Sequence, residues 1–284
     1  MKILGYNLFP PDGMKVINTK IPGRKRKIPV LIARKEGVTE PATGVLWLHG
    51  GGYATGMKEM LYMGRGIDLV VKHGAVVIAP SYTLSIRAPY PAAINDCYDV
   101  LLYIKKHALE LGIRDDQIMV GGESAGGGLT AALCMMARDK KNVNIAFQMP
   151  LYPMIDNFDT DSSRDNHAKV WNTRRNHMAW KLYLRKDAKK RVSPYAAPAR
   201  QTDYSGLPPA YTFVCTAEPF YCETLAYIEN LKAAGIEAEV DVYEGLYHAF
   251  DMKDPKMRIS RKAIERFNRR FAYAHEHYFA EQNK

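Results

Sequence analysis

The first residues that could carry chemistry are a serine and the glycines on either side of it. Residues 122–126 read GESAG and match G-x-S-x-G, a pattern in which a strand turns into a helix so tightly that small residues must flank the serine. An apolar strand pattern precedes the turn, and apolar residues at helical spacing follow it. Ser124 is therefore predicted at the carboxyl edge of a strand, where reactive groups lie in an open α/β sheet. The pentapeptide alone also fits an ordinary glycine-rich turn, so other residues have to decide.

A run of glycines follows an earlier apolar segment. Residues 44–48 predict a buried strand, and His49-Gly50-Gly51-Gly52 comes directly after it. Consecutive glycines leave backbone NH groups uncovered by side chains, as binding a developing oxyanion requires. The NH groups of Gly51 and Gly52, together with that of Ala125 after the serine, are the predicted oxyanion donors.

A serine nucleophile needs a base to take its proton, and His248 is the best-placed candidate. In α/β-hydrolases the nucleophile, the acid and the histidine occur in that chain order, with the last two on loops after later strands. His248 follows a predicted strand at residues 237–243. Six other histidines fall on predicted helices or in a polar insertion: His73, His107, His167, His177, His275 and His277.

Two glutamates compete for the role of the acid that orients the histidine. Glu218 lies two residues beyond the predicted strand at 210–216, where its carboxylate can reach the second nitrogen of the imidazole. Glu223 begins the next helix, where a carboxylate is already explained by its favourable interaction with the helix N-terminus. We therefore predict the triad Ser124, His248 and Glu218.

The elements that must position these residues alternate along the chain. Strands are predicted at residues 44–48, 75–79, 118–120, 143–149, 210–216 and 237–243, and helices at 58–73, 92–111, after Ser124, at 223–234 and at 260–278. This alternation calls for a parallel sheet with right-handed crossovers. Residues 14–20 and 27–35 predict an antiparallel hairpin at the sheet edge.

In combination, these motifs resemble the hormone-sensitive-lipase-like carboxylesterases of the α/β-hydrolase fold. The resemblance covers about residues 44–250 and rests on HGGG at 49–52, GESAGG at 122–127, Glu218-Pro219 with Glu223, His248-Ala249-Phe250, and a stretch from Tyr82 to Cys97 that is similar to the family's Y-R-L-A-P-E…P-A-A…D-C. It implies a mostly parallel central sheet with helices on both faces. Residues 1–284 then form a single domain, with a small helical cap insertion at about residues 152–193.

The sequence departs from the family pattern in three places. Glu123 and Glu218 stand where the family usually has aspartate, so the acid carries an extra methylene. Thr83 replaces the family's arginine, which leaves a usual supporting ion pair without its cation. Because only about forty residues precede the HGGG strand, the N-terminal helices that complete many family caps are expected to be short or missing.

The function that these residues favour is a serine carboxylic-ester hydrolase that works through an acyl-enzyme, and the resemblance implies that it acts on short-chain acyl esters. An amidase, an arylformamidase or a peptidase with the same triad stays open, because no sequence feature separates these reactions. A non-catalytic ligand-binding protein is the alternative from a different class. Plant hormone receptors that resemble the family have lost the triad histidine, so the presence of His248 argues against that alternative.

Composition and charge indicate which classes of partner the protein is expected to have. The formal net charge of +10 comes from scattered basic residues without a nucleic-acid recognition motif, so we expect a solvated basic surface and no nucleic-acid partner. No apolar run reaches the length of a membrane span, and the N-terminus lacks the apolar core of a signal peptide. A cytoplasmic protein acting on a small-molecule ester is expected. Family resemblance makes a homodimer through the last strand and helix plausible.

The cysteines, histidines and tryptophans indicate whether a metal site, disulfides or a pocket lining are expected. Cys97, Cys134, Cys215 and Cys222 show no metal-ligand spacing and are expected as free thiols, mostly buried. The histidines lack a metal-binding pattern, so no metal and no other cofactor is expected. Trp171 and Trp180 lie in the polar insertion, where packing against the sheet is favoured over lining a pocket.

Overall fold

Eight strands of five to eleven residues form one large sheet. The computed structural model describes residues 2–3, 6–7 and 9–283. The strands are β1 (Lys2–Ile3), β2 (Tyr6–Asn7), β3 (Met14–Pro22), β4 (Lys27–Lys35), β5 (Ala42–Leu48), β6 (Val76–Pro80), β7 (Ile113–Glu123), β8 (Phe147–Leu151), β9 (Ala210–Cys215) and β10 (Ala238–Tyr243). The α-helices are α1 (Gly66–His73), α2 (Ala92–Lys106), α3 (Ala125–Lys140), α4 (Thr173–Leu184), α5 (Tyr221–Ala233), α6 (Phe250–Lys253) and α7 (Arg258–His277), and 3₁₀ turns lie at Lys58–Tyr62, Arg185–Asp187 and Pro198–Arg200.

Eight strands pair in the order β10-β9-β8-β7-β5-β6-β4-β3, while β1 pairs with β2 alone. From β10 to β6 all neighbours are parallel, whereas β4 runs antiparallel to both β6 and β3. The predicted hairpin at the sheet edge is therefore confirmed as β3 and β4. The predicted fold class, a mostly parallel α/β-hydrolase sheet, is confirmed as well.

Helices cover both faces of the sheet because the central strands are apolar on both sides. In β5, Leu46 and Leu48 join the apolar cluster formed with α2, α3 and α5. Val45 and Trp47, which point to the opposite face, join the cluster formed with α1 and α7. Parallel strands buried on both faces bring their carboxyl ends to one edge, and the predicted site residues all follow such ends.

Some predicted bounds differ from the structure. The helix expected at 58–73 is a 3₁₀ turn followed by α1, with Gly64 between them, where an added Cβ would lie 2.1 Å from Oε1 of Glu123. The helix expected at 92–111 ends at Lys106, and residues 107–112 form turns. The four-residue helix α6, just after His248, was not predicted because it is too short to show a periodicity. No helix in the described ranges is both long and apolar enough to cross a bilayer.

Residues 152–193 contain α4 and one 3₁₀ turn, and their remaining residues are turns and irregular structure. Helix α4 packs on the residue after the glycine run: the ring of Tyr53 stacks on Tyr183 at 4.0 Å and lies 5.6 Å from Trp180. This segment therefore lies against the oxyanion loop predicted from the sequence. Its role as a cap stays a prediction.

The cation missing at position 83 comes from the β3–β4 turn instead. Oδ2 of Asp96 accepts hydrogen bonds from Nε and Nη2 of Arg26 at 3.0 and 2.8 Å, and from the backbone NH and hydroxyl of Thr83 at 2.9 and 2.6 Å. Arg26 also donates to the carbonyl of Ser81 at 2.6 Å. An ion pair thus supports this loop, with its guanidinium supplied by the β3–β4 turn.

Candidate active site

Ser124 occupies a strained turn between β7 and α3, with φ 58° and ψ −118°. Such a conformation costs about 1–3 kcal/mol and persists only where its surroundings enforce it. Here the carbonyl of Ser124 accepts from the NH groups of Gly128 at 2.9 Å and Met154 at 3.0 Å. A Cβ on Gly122 or Gly126 would lie 2.5 or 2.0 Å from the carbonyl oxygen of Leu48. The flanking glycines are therefore required by the close approach of β5.

The structure brings Ser124, His248 and Glu218 into one hydrogen-bonded chain. Nε2 of His248 lies 2.9 Å from Oγ of Ser124, and Nδ1 is hydrogen bonded to Oε2 of Glu218. The other carboxylate oxygen accepts from the NH of Cys215 at 2.8 Å. The three residues are 6%, 3% and 0% exposed. Because a carboxylate oxygen accepts hydrogen bonds, Nδ1 is the donor in this pair, which leaves the lone pair of Nε2 facing the serine hydroxyl.

Glu223 lies apart from this chain. Its Oε1 accepts from the NH groups of Ile155 at 2.7 Å and Asp156 at 3.1 Å, and burial raises the pKa of this carboxyl well above its usual range. The residue thus fastens the first turn of α5 to the segment after β8. Interaction with the helix N-terminus, expected from the sequence, is not its main contact.

The glycine run lies directly beside the serine. A Cβ on Gly50 would be 3.3 Å from Cβ of Ser124, and Gly51 and Gly52 have φ values of 115° and 58° that side chains disfavour. Within residues 9–283, no hydrogen bond takes up the NH group of Gly51, Gly52 or Ala125. Three backbone NH groups on the glycine run and the Ser124 turn are therefore without a hydrogen-bond partner in this part of the chain.

His49 supports this loop as a neutral imidazole. Burial lowers its pKa to about 4, so the ring is uncharged near neutral pH. Its Nδ1–H donates to the carbonyl of Gly50 at 2.8 Å, and the ring stacks on Tyr82 at 4.1 Å. The hydroxyl of Tyr82 in turn donates to the carbonyl of His49 at 2.8 Å. The side chain of His49 thus stabilises the backbone of the glycine run through the carbonyl of Gly50 and has no hydrogen bond to the serine hydroxyl.

A buried polar network behind the triad was missed by sequence reasoning. Glu123 accepts from Nε1 of Trp47 and from the NH of Arg65, both at 2.9 Å, and burial raises its pKa to about 8. Nε of Arg65 lies 3.0 Å from Oδ2 of Asp251, which is fully buried three residues after His248. Arg65 therefore connects the residue before Ser124 with helix α6, which follows His248. No local pattern predicts this, because a lone arginine and a lone aspartate usually lie at the surface.

The two tryptophans of the insertion have different surroundings. Trp180 is buried, and its ring contacts are with Tyr53, which follows the glycine run, and with Tyr183 on its own helix; packing against the sheet stays a prediction. Trp171 is only half-buried, and its ring centroid lies 6.3 Å from that of His248. Of the two tryptophans, Trp171 is therefore the one whose ring lies near His248.

Comparisons with known proteins agree with this geometry. The α/β-hydrolase fold family matches residues 45–252. Esterase LipI of Mycobacterium tuberculosis is 29% identical over 208 residues, which are 72% of this chain and 65% of that protein. Carboxylesterase NlhH of the same organism is 28% identical over 235 residues, which are 78% of this chain and 71% of that protein. The chain thus spans about two thirds of the length of these curated relatives.

Solved structures of esterases superpose on nearly the whole chain. A bacterial heroin esterase matches with a TM-score of 0.86 at 31% identity, covering 93% of this chain and 84% of that one. An esterase of Pyrobaculum calidifontis matches with a TM-score of 0.82 at 30% identity, covering 89% and 83%. Together with the family match, these likenesses show that the chain belongs to the hormone-sensitive-lipase-like carboxylesterase family of the α/β-hydrolase fold.

Proposed function

We propose that this protein is a serine carboxylesterase in which Ser124, His248 and Glu218 hydrolyse short-chain acyl esters through an acyl-enzyme. The observation that carries the proposal is the continuous hydrogen-bonded chain from Oγ of Ser124 through both ring nitrogens of His248 to the carboxylate of Glu218. Relatives and structural neighbours that are named esterases support the same reaction class.

In the acylation half-reaction, Oγ of Ser124 attacks the ester carbonyl carbon while Nε2 of His248 takes the hydroxyl proton. The carbonyl oxygen becomes an oxyanion that accepts hydrogen bonds from the NH groups of Gly51, Gly52 and Ala125. When the tetrahedral intermediate collapses, the bond to the alkoxy oxygen breaks, and His248 returns the proton to the leaving alcohol. The acyl group is then an ester of Ser124.

Deacylation repeats these steps with water as the nucleophile. His248 takes a proton from water as its oxygen attacks the acyl carbon, and the same NH groups stabilise the second oxyanion. Collapse breaks the bond to Oγ, which regains its proton from the imidazolium. The sum is one ester and one water converted into one acid and one alcohol, with no cofactor. Throughout, the carboxylate of Glu218 holds the imidazole and stabilises its cation.

A profile of p-nitrophenyl esters from acetyl to decanoyl, measured beside p-nitroanilides of the same acids, tests both the reaction and the acyl preference. We expect hydrolysis of acetyl to hexanoyl esters and much slower cleavage of the anilides. The family resemblance implies a preference for short acyl chains, so the space beside Ser124 is expected to hold only a few methylenes. Each buried methylene could contribute about 0.8 kcal/mol, and this gain should stop at short chains. A preference that rises to decanoyl, or faster cleavage of the anilides, contradicts the proposal.

Replacing Gly51 by valine should lower kcat by about 10²-fold or more, the typical loss for one oxyanion donor. At φ 115° a side chain is strained, and a Cβ at this position would lie 2.3 Å from the carbonyl oxygen of Thr55, so the loop has to move. The matched control is Gly74→Val at the end of α1, where φ is 70° and nothing lies within 4 Å of an added Cβ. That control also places valine at a positive φ, far from Ser124 in sequence, and should keep its kcat. If Gly51→Val and the wild type have equal kcat, the assignment of this loop as an oxyanion donor is wrong.

Three finer expectations stay predictions. A cytoplasmic location accords with Cys97, Cys134, Cys215 and Cys222 being free thiols. A homodimer through β10 and α7 accords with exposed Val242 on the edge strand and exposed Tyr273 on the helix. The absence of a nucleic-acid partner rests on the sequence alone.

A further inference from the structure

The indole of Trp171 lies against the proposed oxyanion loop. A Cβ built on Gly52 would lie 2.5 Å from Cη2 and 3.2 Å from Cζ2 of this tryptophan, so the six-membered ring touches the glycine backbone. The same indole ring lies 6.3 Å from the imidazole of His248, measured between centroids. Trp171 therefore bridges the loop that would bind the oxyanion and the residue that would move the proton.

Three aromatic side chains surround the imidazole of His248, and only one of them is accessible. Tyr152 and Phe220 pack at 5.0 Å with interplanar angles of 81° and 84°, and both are fully buried. Trp171 is the half-buried member of the set. Of these three rings, it is the one that a bound substrate can contact.

The geometry of the reaction decides which part of the substrate this ring borders. The tetrahedral carbon carries Oγ of Ser124, the oxyanion, the alkoxy oxygen and the acyl chain. The oxyanion faces the NH donors, including that of Gly52, and the alkoxy oxygen has to face Nε2 of His248 to receive its proton. A ring that spans Gly52 and His248 therefore borders the alcohol side of the carbon, while the acyl chain leaves in the remaining direction.

The loop that carries Trp171 is held to the loop of the triad acid. The hydroxyl of Ser162 donates to the carbonyl of Pro219 at 2.7 Å, and Nδ2 of Asn166 donates to the carbonyl of Ala217 at 3.2 Å. Beyond the tryptophan, Oδ1 of Asn172 caps α4 by accepting from the NH of Arg175 at 3.1 Å. The indole is thus positioned relative to Glu218 and His248 before any substrate binds, which lowers the cost of ordering it on binding.

Resting on the proposed esterase function, we propose that Trp171 is a specificity-determining residue that packs against the alcohol part of the ester and favours aromatic alcohols. An aromatic group placed on an indole gains a contact that a small alkyl group does not make. The acyl part lies away from this ring. The substrate class that the site selects is therefore the short-chain acyl ester of an aromatic or arylalkyl alcohol.

The test compares kcat/KM for benzyl acetate, ethyl acetate and ethyl butyrate in the wild type, Trp171→Ala and Trp171→Leu. Differences in intrinsic ester reactivity cancel when each variant is divided by the wild type. The control is Met178→Ala, a 58% exposed position on α4 of the same segment. We expect Trp171→Ala to lower the ratio of benzyl acetate to ethyl acetate by about three- to tenfold, the size of one aromatic contact. The ratio of ethyl butyrate to ethyl acetate should stay unchanged in every variant.

Trp171→Leu keeps an apolar side chain in the gap, so it repeats the test if the alanine variant does not fold. An unchanged benzyl-to-ethyl ratio overturns the inference, including the case in which all three esters slow down equally. A change confined to the butyrate-to-acetate ratio overturns it too, because the ring would then border the acyl chain. Failure of the esterase function itself is distinct, since the wild type would then hydrolyse none of the three esters.

Discussion

Ser124→Ala is expected to lower kcat for ester cleavage by about 10⁴-fold or more, because no other group can supply the nucleophilic oxygen. The fold should survive, since the substitution removes only a hydroxyl whose hydrogen bond is to Nε2 of His248. Alanine also retains the backbone contacts that hold the turn. The rate is measured with p-nitrophenyl acetate, and folding is checked by the far-UV spectrum and the melting temperature.

Ser85→Ala is the matched control for this prediction. Ser85 is 1% exposed, and its hydroxyl has no hydrogen-bond partner among the described residues. Its loss should leave the rate unchanged. Near wild-type hydrolysis by a folded Ser124→Ala protein, at the same substrate concentration, rules out Ser124 as the nucleophile.

Glu218→Gln is expected to lower kcat by up to about 10⁴-fold, as an amide does at the acid position of a well-studied triad. The carboxylate accepts both from the NH of Cys215 and from Nδ1 of His248. An amide has one acceptor oxygen, so its NH₂ group meets one of these donors, and the imidazole loses the partner that keeps its proton on Nδ1. The cation formed during proton transfer also loses its counter-charge.

Glu223→Gln provides the comparison, because Glu223 is the other buried glutamate after β9. Its carboxyl accepts from two backbone NH groups through the same oxygen, Oε1, and glutamine keeps such an oxygen. We therefore expect a much smaller loss of kcat, with the melting temperature as the sensitive readout. If Glu223→Gln is the more damaging variant while both proteins stay folded, the acid assignment moves to Glu223.

Local sequence was sufficient to predict the tight turn at Ser124 and the glycine loop beside it. The glycines around Ser124 are needed because Leu48 passes within van der Waals contact of the turn. The five-residue motif therefore reveals this steric requirement without any long-range information. Chain order then placed Glu218 and His248 on loops at the carboxyl ends of later strands. Parallel strands bring those loops together whatever the details of packing, which is why these predictions needed no long-range information.

Contacts that depend on particular long-range packing were not predictable. Arg65 contacts both Glu123 and Asp251, and Arg26 forms an ion pair with Asp96. These contacts join residues from distant segments, and no local sequence pattern marks them. The contrast between Trp171 and Trp180 has the same origin. Both indoles are equally apolar, and only the path of the irregular segment before α4 places one of them beside His248.

Covalent trapping of Ser124 tests the central claim most directly. A p-nitrophenyl alkylphosphonate forms an O–P bond with an activated serine and releases p-nitrophenol, so labelling is measured by the released phenol and by mass spectrometry of the digested protein. We predict one phosphonyl group per chain, located on the peptide that contains Ser124, with loss of activity in proportion to labelling. The Ser124→Ala protein should remain unlabelled. Inactivation with the label on another residue, or full activity in a protein that carries the label on Ser124, would contradict the account.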